Sequence, residues 1–303
     1  MSASARLAGF AAVLVLVFGG AAVAGGAIGP ERDGEPAGAR GSGHAESNAP
    51  HGGATAAGRD AMSTNADETA ADPVRGLAVA ENGLGLDLEQ TELHRDRPTE
   101  LRFHIVASGG QPVRDFEVEH EKRMHLIVVR RDGQGFQHLH PELGNDGEWR
   151  VRLTLPDAGS YRVFADFKYG GQAQTLAGDL AVDGEADYRP LPATATAADT
   201  GDGYRVRLDA GAQRAGREAQ LRFGVTRDGE AVRTEPYLGA GGHLVALREG
   251  DLAYLHVHPA GNGRGAAVSF MTEFPSEGRY RLYLQFKHKG RVHTAEFTQE
   301  VAR

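Results

Sequence analysis

Thirteen histidines and no cysteine set the chemistry available to this chain. Without thiols there is no disulfide, no thiolate nucleophile and no Cys-based zinc or iron–sulfur centre. Six of the histidines follow a pattern. Phe136-Gln137-His138-Leu139-His140-Pro141 and Tyr254-Leu255-His256-Val257-His258-Pro259 each set two histidines two residues apart. On a strand such a pair shares one face, and two imidazoles on one face can chelate one ion. Pro141 and Pro259 should end those strands. Thirteen residues before each pair stand His125 and His243, each opening an apolar run. Hairpins through Asp132-Gly133 and Gly250-Asp251 would fold each pair back onto that histidine. The expectation is one three-histidine metal site per copy: His125, His138 and His140, then His243, His256 and His258. Imidazole clusters suit Cu(II), Zn(II) and Ni(II), and Cu(II) binds most tightly, so copper is the expected cofactor, ahead of zinc. Met124 beside His125 would add a soft thioether, although Gly242 holds that place in the second copy. His120 between Glu119 and Glu121, and His288 with His293, are donors found in one copy only.

A competing reading gives these histidines a structural role. A histidine at the head of Leu126-Ile127-Val128-Val129 can be a core residue bonded to a carbonyl, and H-x-H-P can be a plain strand end. Recurrence shows constraint, not its cause. Under that reading the protein is an immunoglobulin-like structural or interaction module of the cell envelope.

The elements that would position the histidines form an internal repeat. Arg130 matches Arg248, Pro156-Asp157-Ala158-Gly159 matches Pro275-Ser276-Glu277-Gly278, and Tyr161-Arg162-Val163-Phe164 matches Tyr280-Arg281-Leu282-Tyr283. Phe167-Lys168 matches Phe286-Lys287, and Leu101-Arg102-Phe103 matches Leu221-Arg222-Phe223. Two modules follow, 76–184 and 203–303, joined by a linker at 185–202 that carries Pro190 and Pro192. Each reads as β. Trp149, Val151, Leu153 and Leu155 alternate with Arg150, Arg152 and Thr154, the period of a half-buried strand. Turn signals such as Gly109-Gly110 and Asn145-Asp146-Gly147 separate such stretches. Seven or eight short strands per module and no convincing helix predict an all-β protein of two tandem immunoglobulin-like sandwiches.

Residues 8–29 carry no charge and follow Arg6, long enough to cross a bilayer. Ala22-Val23-Ala24 also fits a signal-peptidase site. As a signal anchor, residues 1–29 would tether the chain to the membrane; as a cleaved signal peptide they would release it. Either exports the remainder, and the small-residue continuation to Ile28 favours the anchor. Residues 30–75, poor in large apolar side chains, predict a disordered linker that holds His44 and His51. A net charge of −8 with no basic stripe argues against nucleic acid. No G-x-S-x-G elbow, EF-hand spacing or nucleotide loop is present, so no enzyme is expected.

The stretches Met124–Pro141 and Tyr237–Pro259 resemble actinobacterial exported or membrane-anchored proteins described as secreted or heavy-metal-associated domain-containing proteins, and the module resembles the YtkA-like β-sandwich. The resemblance covers residues 76–303. It implies metal handling outside the cytoplasm, with a metal-handling protein as partner. Because no Cys-x-x-Cys is present, any such site here must be histidine-based.

Overall fold

The computed structural model describes residues 74–255, 257–260 and 267–303. The expected membrane segment, most of the linker with His44 and His51, and His256 lie outside them. Among the described residues no helix is long and apolar enough to cross a membrane.

The first module has β1 (Ala80–Glu81), β2 (Leu84–Leu88), β3 (Glu92–Leu93), β4 (Thr99–Ala107), β5 (His125–Arg130), β6 (Gln137–Leu139), β7 (Glu142–Leu143), β8 (Trp149–Leu153), β9 (Gly159–Tyr169) and β10 (Gln172–Val182). They form two sheets, β1-β2-β4-β8-β7 and β3-β10-β9-β5-β6. The second module has β11 (Ala197–Asp199), β12 (Tyr204–Asp209), β13 (Gln213–Arg214), β14 (Glu218–Arg227), β15 (Glu230–Ala231), β16 (His243–Arg248), β17 (Tyr254–Leu255), β18 (His258–Pro259), β19 (Ala267–Glu273), β20 (Gly278–His288) and β21 (Arg291–Ala302). Its sheets run β11-β12-β14-β19-β18, with β15 on β14, and β13-β21-β20-β16-β17. The chain is thus two tandem immunoglobulin-like sandwiches. There are more strands than the sequence suggests because single stretches switch sheets part-way and count twice.

Alternation builds each core. Leu101, Phe103 and Ile105 of β4 meet Leu126 and Val128 of β5 and Tyr161 and Val163 of β9, with Trp149 beside them. Leu221, Phe223 and Val225 meet Leu244, Ala246 and Leu282 in the same way. Each module also closes a tyrosine corner: Tyr161 donates to Asp157 O at 2.9 Å and Tyr280 to Ser276 O at 2.9 Å. The repeated arginines close hairpins, Arg130 onto Asp132 at 2.8 Å and Arg248 onto Asp251.

The apolar runs at His125–Arg130 and His243–Arg248 do not alternate, because both faces of these strands are covered. Ile127 and Val129 point away from the first core, Val245 and Leu247 away from the second. Together with Phe164, Ala177, Leu252, Tyr254 and Tyr283 they form a third apolar cluster between the modules. Phe136 stacks on Tyr283 with ring centres 4.1 Å apart, and the Tyr283 hydroxyl donates to Gly133 O at 2.8 Å.

The stretches beside both linkers are bonded to the modules. Arg75, assigned by composition to the first linker, accepts a hydrogen bond from Tyr254 N at 3.0 Å. Gly76 follows at φ +68, and a Cβ there would lie 2.7 Å from Phe164, so only glycine lets the chain enter the seam. In the second linker, residues 197–199 form β11 on β12. Asp187 O accepts from Arg130, and Leu191 O and Pro192 O accept from Arg279. Composition marks these stretches as polar and proline-bearing. It does not show that their backbone carbonyls receive arginines from both modules.

Candidate metal centre

The seam ends in histidines. In β5, His125 has the same parity as Ile127 and Val129, so its ring points between the modules. In β16, His243 shares parity with Val245 and Leu247. In β6, His138 lies across from Ile127 and therefore on the same side. One nitrogen from each of His125, His138 and His243 lies within 4.8 Å of the others. The rings of His125 and His243 stack at 5.5 Å, and those of His138 and His243 stand 4.6 Å apart. His140, just beyond β6, adds a fourth ring, 5.2 Å from His125 and 4.7 Å from His138.

A backbone carbonyl fixes the tautomer of His125. His125 Nε2 faces Glu119 O at 3.1 Å, and a carbonyl can only accept, so Nε2 carries the proton. His138 Nδ1 faces Gln285 Oε1 at 2.7 Å and donates to it. The Gln285 amide nitrogen meanwhile donates to Thr294 Oγ1 at 3.4 Å. A neutral imidazole has one N–H. With the amide oxygen toward His138, the inward nitrogens, His125 Nδ1 and His138 Nε2, are two lone pairs 3.0 Å apart. Two more ring nitrogens, His140 Nε2 and His243 Nδ1, are buried with no hydrogen-bond partner among the described residues. Burial above all, then the neighbouring imidazoles, disfavours protonation. It lowers His125 from 6.5 to about 4, though the Glu119 carbonyl opposes the shift. His138 falls to about 3 and His140 to about 4. His243 is held well below its usual value for the same reasons. The cluster is neutral near pH 7, the state in which imidazole donates to a metal.

Elements outside the histidine pattern hold this arrangement. Gly242 precedes His243 because a Cβ there would lie 2.7 Å from Gln285 O. β16 can then lie close to β20 and bring His243 and Gln285 together. Gln285 and Asp166 stand across from His243 and His125 in equivalent registers. Asp166 bonds Thr175 Oγ1 at 2.7 Å, and burial raises its carboxyl to about 6.

The expected pair of separate sites is not what forms. His125, His138, His140 and His243 gather at one place, with side chains from both modules. His258 does not join them: it lies in β18, across from Met271, in the other sheet of its module. In the first module the chain keeps to the β5 sheet through Leu139 and changes sheets only at Pro141. In the second it leaves β16 after Leu255. Pro259 is the last residue of β18, an edge strand, where its missing N–H is tolerated. Met124 is no ligand either, since its side chain belongs to the first core. His288 and His293 lie apart, the former bonded to Tyr204 and the latter to Asp202. Sequence reasoning missed Gln285. It aligns with Asp166 across the repeat, but nothing in its type marks it as the holder of a histidine in the other module.

Comparison with known proteins adds a family and little on function. No curated protein matches the chain. Among solved structures, the Escherichia coli adhesin FdeC is 14% identical over 75% of this chain and 66% of its own, with a TM-score of 0.25. The Lin-41 filamin domain is 12% identical over 35% of this chain and 97% of its own, with a TM-score of 0.25. A chimeric titin Z1Z2 tandem is 13% identical over 71% and 95%, with a TM-score of 0.20. A family described as Domain of unknown function (DUF8832) matches twice, over residues 78–184 and 197–303, one match on each module. The chain therefore belongs to that family and carries its domain in tandem.

Proposed function

We propose that the protein is a non-enzymatic metal binder that holds one copper ion between its two modules. In this reading it works outside the cytoplasm, tethered by residues 1–29, and exchanges metal with a metal-handling protein. The pair of facing lone pairs on His125 and His138 supports it most directly. In this arrangement both outer nitrogens meet acceptors, which leaves the inner two nitrogens facing each other without a proton between them, and a cation suits such a pair. The acceptors Glu119 O and Gln285 Oε1 act as the outer partners that orient metal-binding imidazoles. With bonds of about 2.05 Å, nitrogens 3.0 Å apart subtend roughly 94° at the metal, which suits tetragonal Cu(II) better than tetrahedral Zn(II). Adding about 1.1 Å from nitrogen to ring centre, two ligand rings lie about 4.5 Å apart at a right angle and about 5.1 Å apart at the tetrahedral angle. The His138–His243 and His138–His140 rings, 4.6 and 4.7 Å apart, fall in that range, and the His125 ring stands slightly farther out, 5.2 Å from His138 and 5.5 Å from His243. The resemblance to heavy-metal-associated exported proteins points the same way.

A second reading, an envelope interaction module with structural histidines, draws on the seam itself. Its buried apolar cluster can hold the modules together without metal. Titration of the full chain, free of any histidine tag, with Cu(II) and Zn(II) against a competing chelator separates the two. The metal reading requires one Cu(II) per chain, a preference over Zn(II), and a loss of more than about 100-fold in affinity in His138→Asn and His243→Asn. Binding no tighter than in a His125/His138/His243 triple variant overturns it in favour of the structural reading.

A further inference from the structure

This inference rests on the copper site just proposed and concerns how that site fills. Residues 119–122 form a tight turn closed by Glu119 N to Lys122 O at 2.8 Å and Lys122 N to Glu119 O at 3.0 Å. The second module builds the same turn, with Tyr237 N to Ala240 O at 2.8 Å and Ala240 N to Tyr237 O at 3.2 Å. Both turns need two consecutive left-handed residues. The second uses Leu238 at φ +52 and Gly239 at φ +78. There Leu238 is a buried side chain, 3% exposed, and Gly239 takes the second left-handed position without strain. The first module uses His120 at φ +47 and Glu121 at φ +65, so neither left-handed position is glycine.

The substitution puts an imidazole where its counterpart has a buried leucine. The His120 ring is half-buried and borders solvent. It stands 6.2 Å from the His125 ring and 6.2 Å from the His243 ring. That is wider than the spacings within the cluster, so an ion on His120 sits one step out from the place between them. The same turn carries Glu119 O, the acceptor for His125 Nε2. One short, strained loop thus holds a tautomer lock and a spare imidazole, a combination typical of moving parts at functional sites.

We propose that His120 is the loading ligand of the site. It takes Cu(II) on the solvent side, passes it to His125 and His243, and accepts it again on release. Each handover replaces one copper–nitrogen bond with another and leaves the oxidation state unchanged.

The test is stopped-flow uptake of Cu(II) from its glycine complex by the full chain, with removal by EDTA as the reverse arm. His120→Leu installs the residue that the second module carries. His120→Asn keeps a side chain that tolerates left-handed φ. In both variants uptake and removal should slow by roughly tenfold or more, while the equilibrium affinity, read separately by competition with a chelator, stays within about threefold. Unchanged rates overturn the proposal. So does an affinity loss that tracks the slower uptake, which would make His120 a permanent ligand. If the wild-type chain binds no copper at all, the metal reading itself fails, and that outcome is visible before any His120 variant is made.

Discussion

Replacing His243 with leucine separates a functional histidine cluster from a structural one. In the metal-free protein His243 Nδ1 is shut off from solvent and has no partner among the described residues. An unsatisfied buried nitrogen costs about 1–3 kcal/mol. Leucine removes it at nearly the same volume and extends the apolar seam of Val245 and Leu247. Imperfect fit against the His125 and His138 rings takes back up to about 1 kcal/mol. The expected net is a gain of roughly 1–2 kcal/mol for His243→Leu at pH 7.5 in EDTA. With a urea slope of about 2 kcal/mol per molar, the midpoint rises by about 0.5–1 M. The same variant should lose Cu(II) binding. Stability gained and binding lost together are the mark of a site maintained for its ligand. A loss of more than about 1 kcal/mol on this substitution would mean that the imidazole stabilises the seam, and would refute the reasoning.

Three further predictions follow from the same geometry. The metal-free protein should weaken in acid. His125 and His138 titrate lower folded than unfolded, so the unfolded chain takes up protons first as pH falls below 6.5. At pH 5 this costs about 2 kcal/mol for each, while the raised carboxyl of Asp166 gives back about 1 kcal/mol. Equal urea midpoints at pH 7.5 and about 5 in EDTA would contradict this. Tyr283→Phe leaves Gly133 O unpaired in the seam and should cost about 1–2 kcal/mol in urea unfolding, with no effect on metal stoichiometry. Gly242→Ala drives a methyl against Gln285 O, so it should cost about 1–3 kcal/mol and also weaken Cu(II) binding, because it displaces both His243 and the residue that holds His138. An alanine variant with wild-type affinity would show that the close approach of β16 to β20 is not what sets the site.

The sequence carries the repeat, the strand alternation of Leu101–Ile105 and Trp149–Leu155, and four of the histidines that meet: His125, His138, His140 and His243. It does not carry the single shared site. Deciding that His140 stays with the cluster while His258 leaves it depends on where each strand changes sheets. The motif H-x-H-P is identical in both copies at that point. One available signal points to the shared site. Leu126-Ile127-Val128-Val129 and Leu244-Val245-Ala246-Leu247 lack the alternation of the other strands, and an unbroken apolar run means a strand covered on both sides. Gln285 and the left-handed His120 carry no comparable signal, because their importance comes from neighbours in the other module and from a backbone angle.

The seam is formed by equivalent surfaces. Ile127 meets the territory of Val245, Phe164 that of Tyr283, and the two stacked rings, His125 and His243, are each other's counterparts in the repeat. That is the arrangement of a two-fold homodimer, with its axis passing between those rings, written into a single chain. A true homodimer must place the same residue on both sides of its axis. Fusion lifts that constraint: Asp166 can face Gln285, His120 can face Leu238, and one copy can send its last histidine to another sheet. The tandem can therefore build one lopsided pocket on a symmetric scaffold, with a side for holding and a side for access. Two identical subunits could not encode that difference.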